Sequence, residues 1–239
     1  MTEAMTAFFR FPHIPHLAWL GYASPRDDKL MSTGDAQALV NGEIVVEEKL
    51  DGANIGISLA ATGALQVQNR GGYLVEPYSG QFRCLGTWLA EHREAVSNVL
   101  RPDLILFGEW CAARHTVPYD RLPDWFVVFD VYDRSVGRFF SASRRTIFSE
   151  RCGLAEVPTT VRGRMTLAEL GRLVQSARSN FRNGPLEGLI IRRESADWLL
   201  ARAKLVRPDF VQGIGDHWRR RVIDWNRLAA ISAPGVGAD

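Results

Sequence analysis

Long apolar runs and an excess of charge of either sign are missing from this sequence. No apolar stretch approaches the roughly 20 residues that a bilayer-spanning helix needs, and the first residues carry Glu, His and Pro where a secretory signal would be apolar. The formal net charge is +2, from 29 basic and 27 acidic residues, which neither indicates nor excludes a polyanionic partner. We therefore expect a cytoplasmic protein without membrane contact.

Paired cysteines are also missing, and so are internal repeats and low-complexity tracts. Cys84, Cys111 and Cys152 are odd in number and show no CxxC spacing, which argues against a disulfide framework or a cysteine zinc site and fits a reducing compartment. The 46% hydrophobic and 23% charged residues are typical of a globular protein. A length of 239 residues is enough for one domain with a short appendage.

Short β-branched segments bounded by turn residues predict the strands of the fold. They cover residues 43–49, 55–59, 65–68, 104–110, 125–132, 188–193 and 199–206. The first three follow one another through tight turns, which favours one antiparallel sheet. The segment 125–132 is almost continuously apolar, which predicts a central strand covered on both faces.

A helical period of apolar residues appears at 80–100, at about 143–152 and at 166–180. Thr166 is the expected N-cap of the last of these helices, with Glu169 as its capping-box partner. Residues 1–42, rich in Pro, Gly and aromatic residues, are expected to form an irregular lead-in. Strand order and connection lengths predict an α+β domain of two mostly antiparallel sheets flanked by helices.

One lysine and two carboxylates occupy the ends of predicted strands. Lys49 lies where a strand runs into an Asp-Gly turn, a pattern that surface hairpins also produce often. Glu109 and Glu187 flank apolar strands, where acids are usually only solvated. Together with Lys204 and Arg70, however, they form the set of side chains needed to bind a triphosphate and its divalent ions.

Six segments in order carry a resemblance to a known superfamily. They are KLDGAN at 49–54, RG at 70–71, FGEW at 107–110, VVFDVYD at 127–133, EGLIIRR at 187–193 and ARAKLV at 201–206. They are similar to the collinear motifs of the covalent nucleotidyltransferases, which comprise DNA ligases, RNA ligases and mRNA capping enzymes. The KLDGAN and FGEW forms look most like the ATP-dependent RNA ligases that seal nicks in duplex RNA. The resemblance implies an ATP-grasp-like nucleotidyltransferase domain whose two sheets enclose a nucleotide cleft.

The resemblance also implies a reaction and a nucleotide site. Lys49 would attack the α-phosphorus of ATP, and the resulting lysyl-AMP would pass AMP to the 5′-phosphate of an RNA strand, which is then joined to a 3′-hydroxyl. Glu109 would bind the ribose hydroxyls, Phe129 would stack on adenine, and Glu48 would accept from the adenine amino group. Arg70 would contact phosphate or ribose.

The resemblance assigns the binding of phosphate and of a divalent ion to four further residues. The resemblance implies that Glu187 holds Mg²⁺ or Mn²⁺, and that Lys204 binds the α-phosphate with support from Arg202, two residues away on the same face of a strand. Many relatives have Lys at the position of Arg202, and Arg keeps the charge with a different geometry. Asn54 would orient phosphate in the later steps.

We expect residues 1–210 to form the adenylyltransferase domain and 211–239 to form a short basic C-terminal segment. The roughly 30 residues after the last motif are too few for the five-stranded OB-fold barrel of DNA ligases and capping enzymes. Binding of nicked duplex RNA would then depend on Arg144-Arg145, on Arg219-Arg220-Arg221 or on a partner protein. Basic runs, however, are usually solvent-exposed surface without a binding role. A minimal DNA ligase and a non-catalytic module that binds nucleotide or RNA ends stay open as alternatives.

Overall fold

The computed structural model describes residues 7–21, 30–212 and 223–230. The strands in this part of the chain are β1 Ile44–Lys49, β2 Ala53–Leu59, β3 Leu65–Gln68, β4 Leu104–Trp110, β5 Phe126–Asp133, β6 Arg138–Phe139, β7 Thr159–Gly163, β8 Gly188–Glu194 and β9 Leu199–Val206. The helices are α1 Thr33–Val40, α2 Leu85–Val99, α3 Ala142–Cys152, α4 Leu167–Ser176 and α5 Pro208–Gln212. Among the described residues, no helix has both the length and the apolar character needed to cross a bilayer.

Two antiparallel sheets form the framework, which confirms the predicted α+β class. One sheet has the order β7-β1-β8-β9 and the other the order β3-β2-β4-β5-β6. The prediction that the first three strands share a sheet was wrong, because β1 pairs with β7 and β8 while β2 pairs with β3 and β4. The Asp-Gly turn after Lys49 therefore carries the chain from one sheet to the other instead of closing a hairpin.

Each sheet buries one face under helices. The apolar faces of α1 and α4 pack on the sheet that contains β1, where Leu39, Leu170 and Val174 meet Val46 and Leu189. On the other sheet, α2 and α3 cover a larger core that includes Trp88, Trp110 and Phe126. The remaining faces of the two sheets are turned toward each other, and the candidate site lies between them.

Most predicted elements are confirmed. Helix α4 has the predicted N-cap, although it ends at Ser176 and not near residue 180. Thr166 Oγ1 accepts from the Glu169 amide at 3.2 Å, and the Glu169 carboxylate accepts from the Thr166 amide at 2.7 Å. The helix predicted over 80–100 begins later, at Leu85, after a 3₁₀ turn at Gly80–Phe82. The buried strand predicted at 125–132 is β5, although its outer neighbour β6 spans only two residues.

The irregular lead-in was predicted too long, and two strands were missed. Helix α1 begins at Thr33, inside the range 1–42, and is capped by Ser32, whose Oγ accepts from the Asp35 amide at 3.1 Å. The Pro- and Gly-rich composition of the preceding residues predicted irregular structure, so this N-cap was not recognised in the sequence. Strands β6 and β7 have few buried residues, so no apolar alternation marks them in the sequence.

We predict that Gly108→Ala lowers the free energy of unfolding by about 2–3 kcal/mol, because the added methyl group overpacks a buried strand crossing. A Cβ there would lie 2.3 Å from Phe126 Cε2 and 2.8 Å from the Val127 carbonyl oxygen. The matched control is Gly171→Ala in α4, where a Cβ meets nothing within 4 Å and helix propensity should add about 0.5–1 kcal/mol. Urea unfolding measures both, and equal midpoints for the two variants would contradict the prediction.

Candidate active site

A cavity of about 610 Å³ lies between the two sheets, within the usual size range of a small-molecule site. The predicted site residues that line it are Glu48, Lys49, Asn54, Arg70, Glu109, Phe129, Arg202 and Lys204. Glu187 joins the same site through its contact with Lys49. Arg219, Arg220 and Arg221 lie outside the described residues. Residues far apart in the chain thus meet because strands from both sheets end at one cleft.

Lys49 is held by a two-pronged ion pair at the end of β1. Its Nζ donates to Glu187 Oε1 at 2.8 Å and Oε2 at 2.6 Å, and to the Leu50 carbonyl oxygen at 3.2 Å. The pairing register explains the contact, because Lys49 lies opposite Gly188 on β8, next to Glu187 in the chain. A Cβ on Gly188 would lie 2.6 Å from the Leu205 carbonyl oxygen, so this position needs glycine.

The charges around Lys49 keep it protonated. Burial acts to lower the pKa of Lys49, but Glu187, Asp51 and Glu109 together outweigh burial and raise it. Burial also raises the pKa of Glu187 to about 7, against the opposing effect of Lys49. The amine is therefore an ammonium in this state, and the carboxylate in direct contact with it stabilises that charged form.

Glu109 faces the turn that follows Lys49. Its Oε1 accepts from the Gly52 amide at 2.9 Å, and a Cβ at Gly52 would lie 2.5 Å from the Trp110 carbonyl oxygen. Burial raises the pKa of Glu109 to about 7, although Lys49 acts in the opposite direction. Asn54 lies opposite Glu109 in the β2–β4 register, so two of the predicted polar residues share this wall of the cavity.

Asp51 organises a loop that the motifs do not include. Its Oδ2 accepts from the amides of Thr116 and Val117 at 2.7 and 2.9 Å, while its own amide donates to the Tyr119 hydroxyl at 2.9 Å. Tyr119 is in turn held by the buried Asn226, whose Oδ1 accepts from the Tyr119 amide at 2.8 Å. Asp51 is conspicuous in the sequence as part of KLDGAN, but no signal pointed to Tyr119 or Asn226.

Arg202 and Lys204 project from β9 into the cavity, as their two-residue spacing predicts. Arg202 is ion-paired with Asp130 of β5, and burial lowers its pKa despite that partner. Lys204 lies close enough to Glu187 to lower the pKa of that carboxyl. The pair thus combines a fixed guanidinium with an ammonium near the Lys49 site.

A buried charge network lies behind this wall. Arg192 contacts Asp130 at 2.8 Å and Glu194 at 2.6 Å, and Arg145 contacts Glu47 at 2.7 Å. Arg145 is completely buried, so the expectation that Arg144-Arg145 forms an RNA-gripping surface was wrong for Arg145. The sequence shows only a basic pair there, and the helical phase of α3 decides that its second member points inward.

The two residues that the motifs predict to bind the base, Phe129 and Glu48, both line the cavity. Phe129 forms part of the wall, and its carbonyl oxygen is held by Arg145 Nη1 at 2.7 Å. Glu48 Oε2 accepts from the amide and side chain of Asn180 at 2.9 and 3.0 Å. Glu48 Oε1 is buried and has no hydrogen-bond partner within the described residues. It is therefore an acceptor suited to a ligand donor.

No group of three or more His, Cys, Asp or Glu side chains within the described ranges is arranged to hold a metal ion. The acids whose charges act on Lys49 are Glu187, Asp51 and Glu109, of which Asp51 is already engaged by backbone amides. Magnesium commonly binds through one or two carboxylates plus the phosphates of a substrate. The donor set fits that mode, in which Glu187 would hold the ion together with substrate phosphates.

Residues 42–206, more than half of the chain, match a family model described as RNA ligase. This chain belongs to the RNA ligase family. Comparison with curated protein sequences found no match.

Solved RNA ligase structures share the fold. A mutant of Naegleria gruberi RNA ligase with ATP and Mn matches with a TM-score of 0.63 and 14% identity, over 87% of this chain and 58% of that chain. The Naegleria gruberi enzyme with PPi gives 0.60 and 16%, over 92% and 64%. An archaeal ATP-dependent RNA ligase gives 0.55 and 19%, over 85% and 49%. This chain thus spans about half to two thirds of the length of these structures.

We predict that the raised pKa of Glu109 makes the protein less stable as pH rises from about 5 to 7. The folded state keeps a proton up to about pH 7 that the unfolded chain loses near its ordinary pKa of 4.5. Stability therefore falls over this window, with a contribution from this group on the order of 1–3 kcal/mol. Glu109→Gln should flatten the slope of unfolding free energy against pH, measured by urea unfolding.

The control is Glu169→Gln in the capping box of α4. Hydrogen bonds from Thr166 lower the pKa of Glu169, so its contribution is present above the ordinary pKa and is lost as pH falls. This variant should leave the slope between about pH 5 and 7 unchanged. A Glu109→Gln protein with the wild-type slope would show that Glu109 is ionised throughout.

Proposed function

We propose that this protein is an ATP-dependent RNA ligase, a nucleotidyltransferase in which Lys49 carries AMP as a covalent intermediate. The observation that carries the proposal is the contact of Lys49 Nζ with both oxygens of Glu187, beside a cavity that Glu109 and Lys204 also line. A half-buried amine with a carboxylate against it and a second cation in the same cleft meet the needs of nucleotidyl transfer. Membership of the RNA ligase family agrees with this reaction.

In the first step, Lys49 Nζ attacks the α-phosphorus of ATP, so that a phosphorus–nitrogen bond forms and the bond to pyrophosphate breaks. The lysine must first lose its proton, and the Glu187 carboxylate in direct contact with Nζ would orient the amine. Since the negative charge of Glu187 helps to raise the pKa of Lys49, any shift of that charge toward another cation makes the amine a better nucleophile.

The nucleoside of ATP would be recognised by four residues that line the cavity. Phe129 offers a ring for stacking on adenine, and the unpaired Glu48 Oε1 offers an acceptor for the adenine amino group. Glu109 would bind the ribose hydroxyls from the β4 wall, with Arg70 contacting ribose or phosphate. These assignments come from the motif resemblance. One independent observation supports them, the buried acceptor on Glu48.

The phosphates would be bound by the basic pair on β9 and by Asn54. Lys204 would neutralise the α-phosphate, Arg202 would support it, and Asn54 would orient the phosphate in the transfer and sealing steps. Glu187 would hold Mg²⁺ or Mn²⁺ together with phosphate oxygens, and the ion would supply positive charge to the transferring phosphate. The Naegleria gruberi mutant with ATP and Mn is a relative in which both ligands occur.

The substrate we propose is RNA with a 3′-hydroxyl and a 5′-phosphate at a nick in a duplex, and the process is RNA repair. The support is the form of the KLDGAN and FGEW segments, which resemble the nick-sealing branch. Additional binding of the RNA strands would come from Arg219, Arg220 and Arg221 or from a partner protein. The domain limits of 1–210 and 211–239 belong to the same proposal.

The lysyl-AMP step is tested by incubating the protein with labelled ATP and Mg²⁺ or Mn²⁺. Wild-type protein should retain acid-labile AMP, and Lys49→Ala should retain none because it lacks the nucleophile. Glu187→Gln should slow labelling by at least about tenfold, because it removes the carboxylate that would orient Lys49 and hold the metal ion. Arg193→Gln is the control, since Arg193 contacts the Ala38 carbonyl oxygen on the far side of the sheet and should label normally. Equal labelling of Lys49→Ala would refute the proposal.

The strand preference is tested on nicked duplexes that carry RNA or DNA on the 3′-hydroxyl side. We expect sealing of the RNA-ended nick at a rate at least about tenfold above the DNA-ended nick, since a site that binds the 2′-hydroxyl loses affinity without it. Faster sealing of the DNA-ended nick would favour a minimal DNA ligase. If the protein retained AMP but sealed no strand, only a nucleotide-binding module that completes the first step would remain.

A further inference from the structure

The segment at residues 7–17, which precedes every motif, connects the two sheets at the site. The Lys204 amide donates to the Pro15 carbonyl oxygen at 2.9 Å, and the Leu17 amide donates to the Lys204 carbonyl oxygen at 2.8 Å. At its other end, Gln68 Nε2 of β3 donates to the Phe9 carbonyl oxygen at 2.7 Å. The segment is therefore fastened to one sheet at Lys204 and to the other sheet two residues before Arg70.

Phe11 occupies the middle of this segment, between two arginines. Its ring centroid lies 4.6 Å from Arg202 Cζ and 5.9 Å from Arg70 Cζ, and the ring is also part of the cavity wall. Phe139 covers Arg202 from a second direction at 4.2 Å. Phe11 is 3% exposed and the Arg202 side chain is 8% exposed, so their contact forms in a largely water-free setting, where an aromatic face attracts a cation most strongly.

The two arginines differ in how much else holds them. Arg202 is ion-paired with Asp130, and its side chain is 8% exposed. Arg70 is exposed and comes from a turn in which Asn69 Oδ1 accepts from the Gly71 and Gly72 amides. The ring of Phe11 contacts both guanidinium groups. Arg202 belongs to β9 of one sheet, and Arg70 follows β3 of the other.

We propose that Phe11 is a positioning residue that aims Arg70 and Arg202 at the phosphates of ATP. This inference rests on the proposed function, and it adds a residue that lies outside all six motifs. The apolar packing of Phe11 on Phe107 and Phe129, at 4.9 and 5.3 Å, is a property that a leucine can largely replace. A leucine cannot replace the π face that Phe11 turns toward the two cations. This difference makes the role testable.

The test compares Phe11→Leu with Phe11→Tyr and with Phe9→Leu, all in a Lys49→Ala background so that binding is measured without turnover. Phe9 belongs to the same segment but stacks on Tyr132 at 3.8 Å, and it does not line the cavity. Calorimetry with ATP should show about tenfold weaker binding for Phe11→Leu, recovery to within about twofold for Phe11→Tyr, and no more than about a twofold change for Phe9→Leu.

Adenosine is the second probe, because it lacks phosphate. Phe11→Leu should change its affinity by less than about twofold, since the cations act on phosphate. In otherwise wild-type protein, Phe11→Leu should raise the KM for ATP in self-adenylylation more than it lowers kcat.

Two results would overturn the inference: equal ATP affinity for Phe11→Leu and Phe9→Leu, or a loss of adenosine affinity as large as the loss for ATP. Failure of wild-type protein to retain AMP would overturn the proposed function instead, while the binding comparison would still decide the role of Phe11. Absence of any ATP binding to the Lys49→Ala protein would overturn both.

Discussion

The guanidinium of Arg192 is the contact on which the geometry of the cleft depends. It extends from β8 to Asp130 and to the Phe129 carbonyl oxygen on β5, and it also contacts Glu194 and the Phe140 carbonyl oxygen. Loss of one partner in such a buried cluster leaves an uncompensated charge, which costs about 3–5 kcal/mol. The cluster therefore resists any displacement of one sheet against the other.

This constraint explains how a site of like charges can be stable. Burial and the negative charge of Asp51 both raise the pKa of Glu109 and of Glu187. Lys49 acts against this rise for both carboxyl groups, and Lys204 acts against it for Glu187. A cleft held rigid from behind can keep its charged groups in place without the reorganisation that water would impose, and such preorganisation is the main contribution proteins make to phosphoryl chemistry.

Segments outside the motifs complete the site from both ends of the chain. Residues 7–17 fasten β9 to β3, while residues 223–230 pack along the loop that follows β4 through Asn226, which donates to the Cys111 carbonyl oxygen at 2.7 Å. That loop holds Asp51, the residue two places after Lys49. The motif residues face the cavity, and these flanking segments keep them oriented. A variant in a flanking segment can therefore alter the site without touching a motif.

The sequence by itself was enough to predict the fold class, seven of the strands, the Thr166 cap and the set of charged residues around Lys49, because alternation, capping and strand-end chemistry are local properties. It could not show that β1 and β2 belong to different sheets, since an Asp-Gly turn looks the same whether it closes a hairpin or crosses a cleft. It also could not show that Arg145 is buried or that Phe11 faces Arg202. Those facts depend on contacts between residues distant in the chain, and only the packing of the two sheets decides which of them form.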